Sequence, residues 1–218
     1  MQKINIAIDG PAGAGKSSIS KAVAKKLGII YVDTGAMYRA CALYAIRNGI
    51  SIDEESLRGR LDDIKIELKY TEEGQRIFLG GEDVSEEIRM PEVSIGASDI
   101  AVIPVVRLKL VQMQREIAAK NSVIMDGRDI GTYVLPDADV KIYLTASVEE
   151  RARRRVLEMK EKGMEADFEE VKRDIAYRDK NDSEREFAPL RQAEDAVLID
   201  STDLSFEEVI EKVLGLVK

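Results

Sequence analysis

The segment spanning residues 4–18 constrains this chain more than any other. An isoleucine-rich run, Ile4-Asn5-Ile6-Ala7-Ile8-Asp9, meets Gly10-Pro11-Ala12-Gly13-Ala14-Gly15-Lys16-Ser17-Ser18, and a helical apolar spacing (Ile19, Ala22, Val23, Leu27) follows at once. Strand, Gly-x-x-x-x-Gly-Lys-Ser and helix, in that order, are the setting of a phosphate-binding loop. Small residues let the backbone curl until successive N–H groups point at one anion, and the next helix adds its positive N-terminal end. Lys16 then reaches the β- and γ-phosphates of a nucleoside triphosphate, and the Ser17 hydroxyl is placed to coordinate Mg²⁺. Residues 10–18 are the candidate triphosphate contacts.

Four more apolar runs, at 29–32, 122–126, 140–144 and 196–200, read as short core strands separated by helical stretches. One helix begins at Asp33-Thr34-Gly35 and stops at Asn48-Gly49, and an acidic helix is expected over 51–61. Further helices are expected near 92–101, from Pro104 through Ile117, from Ser147 through Lys162, from Phe168 toward Asn181, and from Ser205 onward. Ser147–Glu150 and Ser205–Glu208 both have the spacing of a capping box. Five strands joined through helices predict an α/β fold: a five-stranded parallel sheet of P-loop NTPase type with helices on both faces. Ligands of such sheets bind at the carboxyl ends of the strands. The polar clusters at 9–10, 33–35, 126–129 and 145–147 all follow strand ends. Between the helices, Ile64, Ile66, Leu68 and Tyr70 alternate with charged residues. A turn at Glu72-Glu73-Gly74 and the run Ile77-Phe78-Leu79 complete a hairpin, which reads as a small inserted lobe.

At 218 residues the chain is long enough for one buried core with excursions from it. The formal net charge of −8 argues against general nucleic-acid binding. Cys41 is the only cysteine, which excludes an internal disulfide and fits a reducing compartment. No segment approaches the ~18 continuous apolar residues of a membrane span, and no leader is evident. A soluble, cytoplasmic protein is expected. There is no histidine, so the commonest general base is missing. Phosphoryl transfer needs none, because it proceeds by positioning and charge stabilisation.

Arg151, Arg154 and Arg155 are spaced to share one helix face. With Glu149, Glu150 and Glu158 beside them they could form an ordinary solvated helix. In a chain with a triphosphate site they could instead supply mobile positive charge, on a helix–Gly163–helix excursion suited to a lid. Asp126 ends an apolar strand, where a carboxylate helps hold Mg²⁺ through water or simply caps a turn. Gly127-Arg128-Asp129-Ile130-Gly131 presents adjacent opposite charges between flanking glycines. Tyr177-Arg178-Asp179 and Asp182-Ser183-Glu184-Arg185 place more forked donors beside carboxylates, as a surface helix end also could.

The ordered series of motifs resembles the bacterial-type cytidylate kinases of the nucleoside monophosphate kinase family. It comprises Gly-Pro-x-Gly-Ala-Gly-Lys-Ser at 10–17, Asp-Thr-Gly-Ala-Met-Tyr-Arg at 33–39, Gly-Glu-Asp-Val-Ser at 81–85 and Ile-Arg at 88–89. It continues with Val-Ser-x-x-Ala-Ser at 93–98, Asp-Gly-Arg-Asp-Ile-Gly at 126–131, Glu-Arg-Ala-x-Arg-Arg at 150–155 and Arg-Asp-x-x-Asp-x-x-Arg at 178–185. The resemblance implies transfer of the ATP γ-phosphate to CMP or dCMP, with Mg²⁺ as cofactor. It implies that Thr34, Arg39, Arg128 and Arg185 hold the acceptor phosphate. Ser98, Arg107 and Asp129 would read cytosine, and Arg178 with Asp182 would hold the sugar hydroxyls. Lys16, Arg128, Arg151, Arg154, Arg155 and Arg185 form the implied catalytic set, and Ser17 with Asp126 (through water) the metal set. The implied organisation is a single domain. Its core is about 1–34, 104–147 and 190–218, with an NMP-binding lobe at about 35–103 (hairpin 64–80) and a lid at about 148–189. A monomer is expected, with no nucleic-acid or membrane partner. Another acceptor (UMP, AMP or a non-nucleotide) and a nucleotide-dependent switch are the alternatives.

Overall fold

Apolar runs bounded by glycine or polar residues become the strands, and the computed structural model describes residues 3–71, 74–161 and 163–217. The chain opens with β1 (Asn5–Asp9), α1 (Lys16–Leu27), β2 (Ile30–Asp33), α2 (Thr34–Arg47) and α3 (Glu54–Arg58). Next come β3 (Ile66–Thr71), β4 (Gly74–Leu79), β5 (Glu82–Asp83), α4 (Pro91–Ile100) and α5 (Pro104–Lys120). Last are β6 (Val123–Gly127), a π-helical turn (Ile130–Val134), β7 (Val140–Thr145), α6 (Val148–Glu161), α7 (Phe168–Glu184), β8 (Val197–Asp200) and α8 (Phe206–Leu216). The five-stranded sheet is parallel, in the order β2-β6-β1-β7-β8. Two compact units divide the chain: Met1–Gly28 with Ile124–Lys218, and Ile29–Val123.

In the first unit, Ile6, Ile8, Ile124, Met125 and Leu144 are fully buried. Continuous rather than alternating apolar residues are what a strand covered on both faces requires. Asp9 is in register with Tyr143, and Thr145 with Asp200, so the polar strand ends of β1, β7 and β8 align. β8 departs from the expected core strand. Val197 and Leu198 are 43% and 54% exposed, because β8 lies at the edge of the sheet. Helices α6 and α7 pack through a small apolar cluster of Ala152, Val171 and Ile175. The capping box at Ser205 forms completely. At Ser147 the hydroxyl accepts the Glu150 N–H at 3.2 Å, while the Glu150 carboxylate turns to Arg154 and Arg153.

In the second unit, α2, α4 and α5 enclose a core that includes Met37, Ala40, Val93, Ile100, Val106 and Leu110. A β-carbon on Gly96 would stand 3.3 Å from that of Ala42, so the small residue lets α4 sit close to α2. The hairpin pairs β3 with β4 (Ile66 opposite Leu79, Tyr70 opposite Gln75), and Ile66, Ile77 and Leu79 are buried. Residues 72–73 of the expected turn lie outside the described residues, as does Lys162 at the expected end of α6. Two features differ from the sequence reading. The acidic helix contracts to α3, started by Asp53, whose carboxylate accepts the Ser56 N–H. A third strand, β5, joins the hairpin sheet; two residues are too few to carry a periodicity.

Candidate active site

The phosphate loop leaves β1 at Gly10, where a β-carbon would lie 1.9 Å from the Leu144 carbonyl oxygen. No side chain fits there. Lys16 opens α1 with its Nζ donating to the Pro11 carbonyl at 2.7 Å. Burial lowers its pKa to about 7, reinforced by the charge of Arg128 and opposed by Asp126, Asp182 and Asp9. Ser17 Oγ donates to Asp126 Oδ2 at 2.8 Å, so the loop and the end of β6 share one hydroxyl–carboxylate contact.

Around this loop the arginines of the first unit are matched with carboxylates. Arg128 Nε donates to Asp182 Oδ2 at 2.6 Å. Burial works against the Arg128 charge, but Asp182, Asp126 and Asp179 outweigh it and hold the pKa above its ordinary value. Arg185 Nη2 donates to Asp129 Oδ1 at 3.1 Å, with the two side chains only 5% and 8% exposed. Its Nε donates to the Ala188 carbonyl at 2.7 Å. Arg151 reaches back to the loop itself: Nη1 donates to the Ala12 carbonyl at 2.8 Å, and Nη2 pairs with Asp179 Oδ2 at 2.7 Å. Asp179 Oδ1 accepts the Ala12 N–H at 3.3 Å, so a carboxylate from α7 meets a loop amide of the kind that binds anions. Arg154 donates to the Ser201 hydroxyl and carbonyl, at 3.1 and 2.6 Å, and to Glu150 at 3.0 Å.

The second unit carries its own polar set. Asp33 accepts the Ala36 N–H at 2.9 Å as the N-cap of α2 and pairs with Arg39 at 3.0 Å. Its own N–H donates to Gln75 Oε1 on β4 at 3.0 Å. Thr34 is buried at the first position of α2. Arg107 is 1% exposed, donates to the Ala101 carbonyl at 3.0 Å, and lies 5.6 Å from the centre of the Tyr38 ring. Ser98 is exposed on α4, its hydroxyl 3.5 Å from the Ser94 carbonyl.

Comparison with known proteins decides the family. The cytidylate kinase family model matches residues 6–218. This chain belongs to the cytidylate kinase family. A cytidylate kinase of Caldicellulosiruptor saccharolyticus is 58% identical over 217 residues, covering 99% of this chain and 96% of the relative. One from Bacillus thuringiensis is 52% identical over the same shares of both chains. A shikimate kinase structure from Bacteroides thetaiotaomicron covers 98% of this chain and 97% of its own at 15% identity, with a TM-score of 0.50. That likeness speaks for the fold.

Within this cytidylate kinase family member, the first unit joins Ser17 to Asp126, Arg128 to Asp182, Arg185 to Asp129 and Arg151 to the loop carbonyl of Ala12, while Arg154 holds Ser201. Arg155 is not drawn in: it points to solvent and pairs with Glu158 at 2.8 Å. Arg178 is exposed on α7. In the second unit Thr34 and Arg39 share the start of α2, while Ser98 and Arg107 sit on α4 and α5. Four polar residues here have no individual role in the sequence reading: Asp9, Asp33, Gln75 and Asp179. Asp9 and Asp33 lie in the polar clusters at the strand ends, and Asp9 ends an apolar strand just as Asp126 does. Asp33 carried a legible N-cap signal. Nothing in the spacing separates Asp179 from its neighbours, and Gln75 gives no signal.

Proposed function

We propose that this chain transfers the γ-phosphate of ATP to CMP or dCMP, producing ADP and CDP or dCDP. The observation that carries the reading is the turn after β6, where Arg128 and the buried Asp129 stand side by side, each paired with a charge from the α7 region. A carboxylate that accepts from the cytosine N4 amine discriminates between bases, and a good bidentate contact is worth ~1–3 kcal/mol. Uracil would present an acceptor to the same carboxylate and leave buried groups unpaired.

In this reading Lys16 and the loop amides hold the donor phosphates, and Thr34, Arg39, Arg128 and Arg185 hold the acceptor phosphate. Ser98, Arg107 and Asp129 read the base, and Arg178 with Asp182 hold the sugar. Residues 35–103 act as the acceptor lobe and 148–189 as a lid carrying Arg151, Arg154 and Arg155. The acceptor oxygen belongs to a phosphate whose second pKa is near 6, so it is already largely ionised at neutral pH. A chain without histidine therefore lacks nothing for this reaction. What remains is repulsion between two anions and their alignment, and positioned arginines address both.

Ser17 and Asp126 suit Mg²⁺. They offer hard oxygen ligands at one point, and a cation that keeps its waters and takes phosphate oxygens needs few from protein. When bound, Mg²⁺ neutralises charge on the transferring phosphates. Among the described residues no helix is long and apolar enough to cross a membrane, and we take the enzyme to act as a cytoplasmic monomer.

A coupled ADP-release assay with ATP and Mg²⁺ tests the assignment across CMP, dCMP, UMP, AMP and no acceptor. Turnover should be highest with CMP and dCMP. Equal ATP consumption with and without CMP, or equal use of AMP, would overturn it.

A further inference from the structure

We propose that Asp9 is a positioning residue for the acceptor, its carboxylate holding the turn that carries Arg128 and Asp129 in register with the phosphate loop. The inference rests on the acceptor roles assigned above to those two residues.

Asp9 is the last residue of β1, so the phosphate loop begins at its own carbonyl. Asp9 is 4% exposed. Its Oδ1 accepts the Ile130 N–H and Oδ2 accepts the Gly131 N–H, each at 2.7 Å, across 121 and 122 residues of chain. Those two amides open the π-helical turn, in which the N–H groups of Val134 and Leu135 bond back to the carbonyls of Asp129 and Ile130. The first N–H groups of any helical turn lack a partner within it. Here one carboxylate satisfies two of them, one oxygen each.

Two contacts define what one could not. A single hydrogen bond leaves the turn free to pivot, whereas a forked pair sets both its distance and its rotation, and charge-assisted bonds of this length are strong ones. A β-carbon on Gly131 would stand 3.4 Å from Asp9 Oδ2, an ordinary contact, so the two amides and not the missing side chain set the fork. The residue just before the turn is Asp129, whose carboxylate holds Arg185. A continuous chain of contacts thus runs from the phosphate loop through Asp9 to the groups assigned to the acceptor. Both Asp9 oxygens are engaged with backbone, so Asp9 acts through the turn. Burial raises its pKa to about 6 against the pull of these two amides, which leaves it a carboxylate at neutral pH.

The test is Asp9→Asn, whose amide keeps one acceptor and turns an NH₂ toward the other backbone N–H. Misplacing reacting groups by 1 Å costs about a hundredfold, so a partial displacement should raise the KM for CMP and lower kcat, together costing about tenfold or more in kcat/KM. The dissociation constant for ATP, measured without acceptor, should change by no more than about twofold, because the loop amides are untouched and Asp9 is the weakest of the charges acting on Lys16. In an Asp129→Ala background the Asn substitution should have much less effect on CMP, since the group it positions is gone. Equal losses toward ATP and CMP, strictly additive effects in that cycle, or parental handling of CMP would each overturn the proposal. Asp129→Ala alone separates the two levels: an unchanged preference for CMP over UMP would sink the acceptor reading itself. Should Asp9→Asn not fold, Asp9→Ser, which leaves space in place of an opposed donor, carries the same comparison.

Discussion

The two units hold the residues assigned to the site in different ways. In the first, contacts reach far along the chain: Arg128 to Asp182 across 54 residues, Arg185 to Asp129 across 56, and Arg151 to the Ala12 carbonyl across 139. In the second, the assigned residues make mostly local contacts. Arg39 meets Asp33 six residues back, Arg107 meets Ala101 six back, and Ser98 lies near Ser94 four back. Gln75 reaches Asp33 across 42 residues, and away from the assigned residues Lys109 reaches Asp62 across 47. A local contact survives wherever its helix survives. A long-range one exists only when the whole unit is folded, so the geometry around the phosphate loop is tied to global stability.

The sharpest way to break this contrast is through the far-reaching arginines. Arg128→Ala and Arg185→Ala should each lower turnover by about 10³-fold while weakening ATP binding far less. Steady-state kinetics beside direct ATP titration separates the two, and near-parental turnover in either variant would defeat the phosphate-clamp assignment. Asp179→Ala comes next. It strips the carboxylate from Arg151, whose side chain is only 4% exposed, and should destabilise the fold by about 3 kcal/mol in chemical denaturation. Adding Arg151→Leu should recover part of that loss; a single variant as stable as the parent would show that the pair does no structural work.

A pH experiment probes Asp9 at about the same scale. Its folded pKa of about 6 exceeds the ordinary 3.8, so the folded chain keeps a proton that the unfolded chain has released between those values. Stability from this group is therefore present below about pH 4 and is lost as pH rises to about 6, by roughly 3 kcal/mol. Denaturation of the parent and of Asp9→Asn at several pH values should show a slope in the first that is missing in the second. Identical slopes would refute it. The smallest effects belong to local contacts. Asp33→Ala removes the α2 cap and should cost about 1 kcal/mol, with a raised KM for CMP and an unchanged one for ATP. Arg155→Ala, on an exposed i,i+3 pair, should shift Tm by less than about 2 °C. A marked loss of turnover in the Arg155 variant would place that residue in the catalytic set.

Legibility in the sequence follows the same division. The phosphate loop, the Asp33 cap and the Ser205 capping box are set by residues within a few positions of each other, and all were readable. So were the strands of the parallel sheet, since a strand buried on both faces must be apolar throughout. β8 was read as core because its run is as apolar as the others; only its place at the sheet edge exposes Val197 and Leu198. Arg151, Arg154 and Arg155 looked equivalent by spacing. The fold separates them, one against the phosphate loop, one against Ser201 and one toward water.

By itself, then, the sequence determined where anions can be bound, how many strands and helices frame that place, and which charges are on hand. Hydrogen-bond donors at adjacent positions and the periods of helix and strand are properties of short stretches. Which aspartate each arginine holds, and that Asp9 serves a turn more than a hundred residues away, was decided by tertiary structure alone. A charge responds to distance in space, and many pairings of the same arginines and aspartates are compatible with one order along the chain.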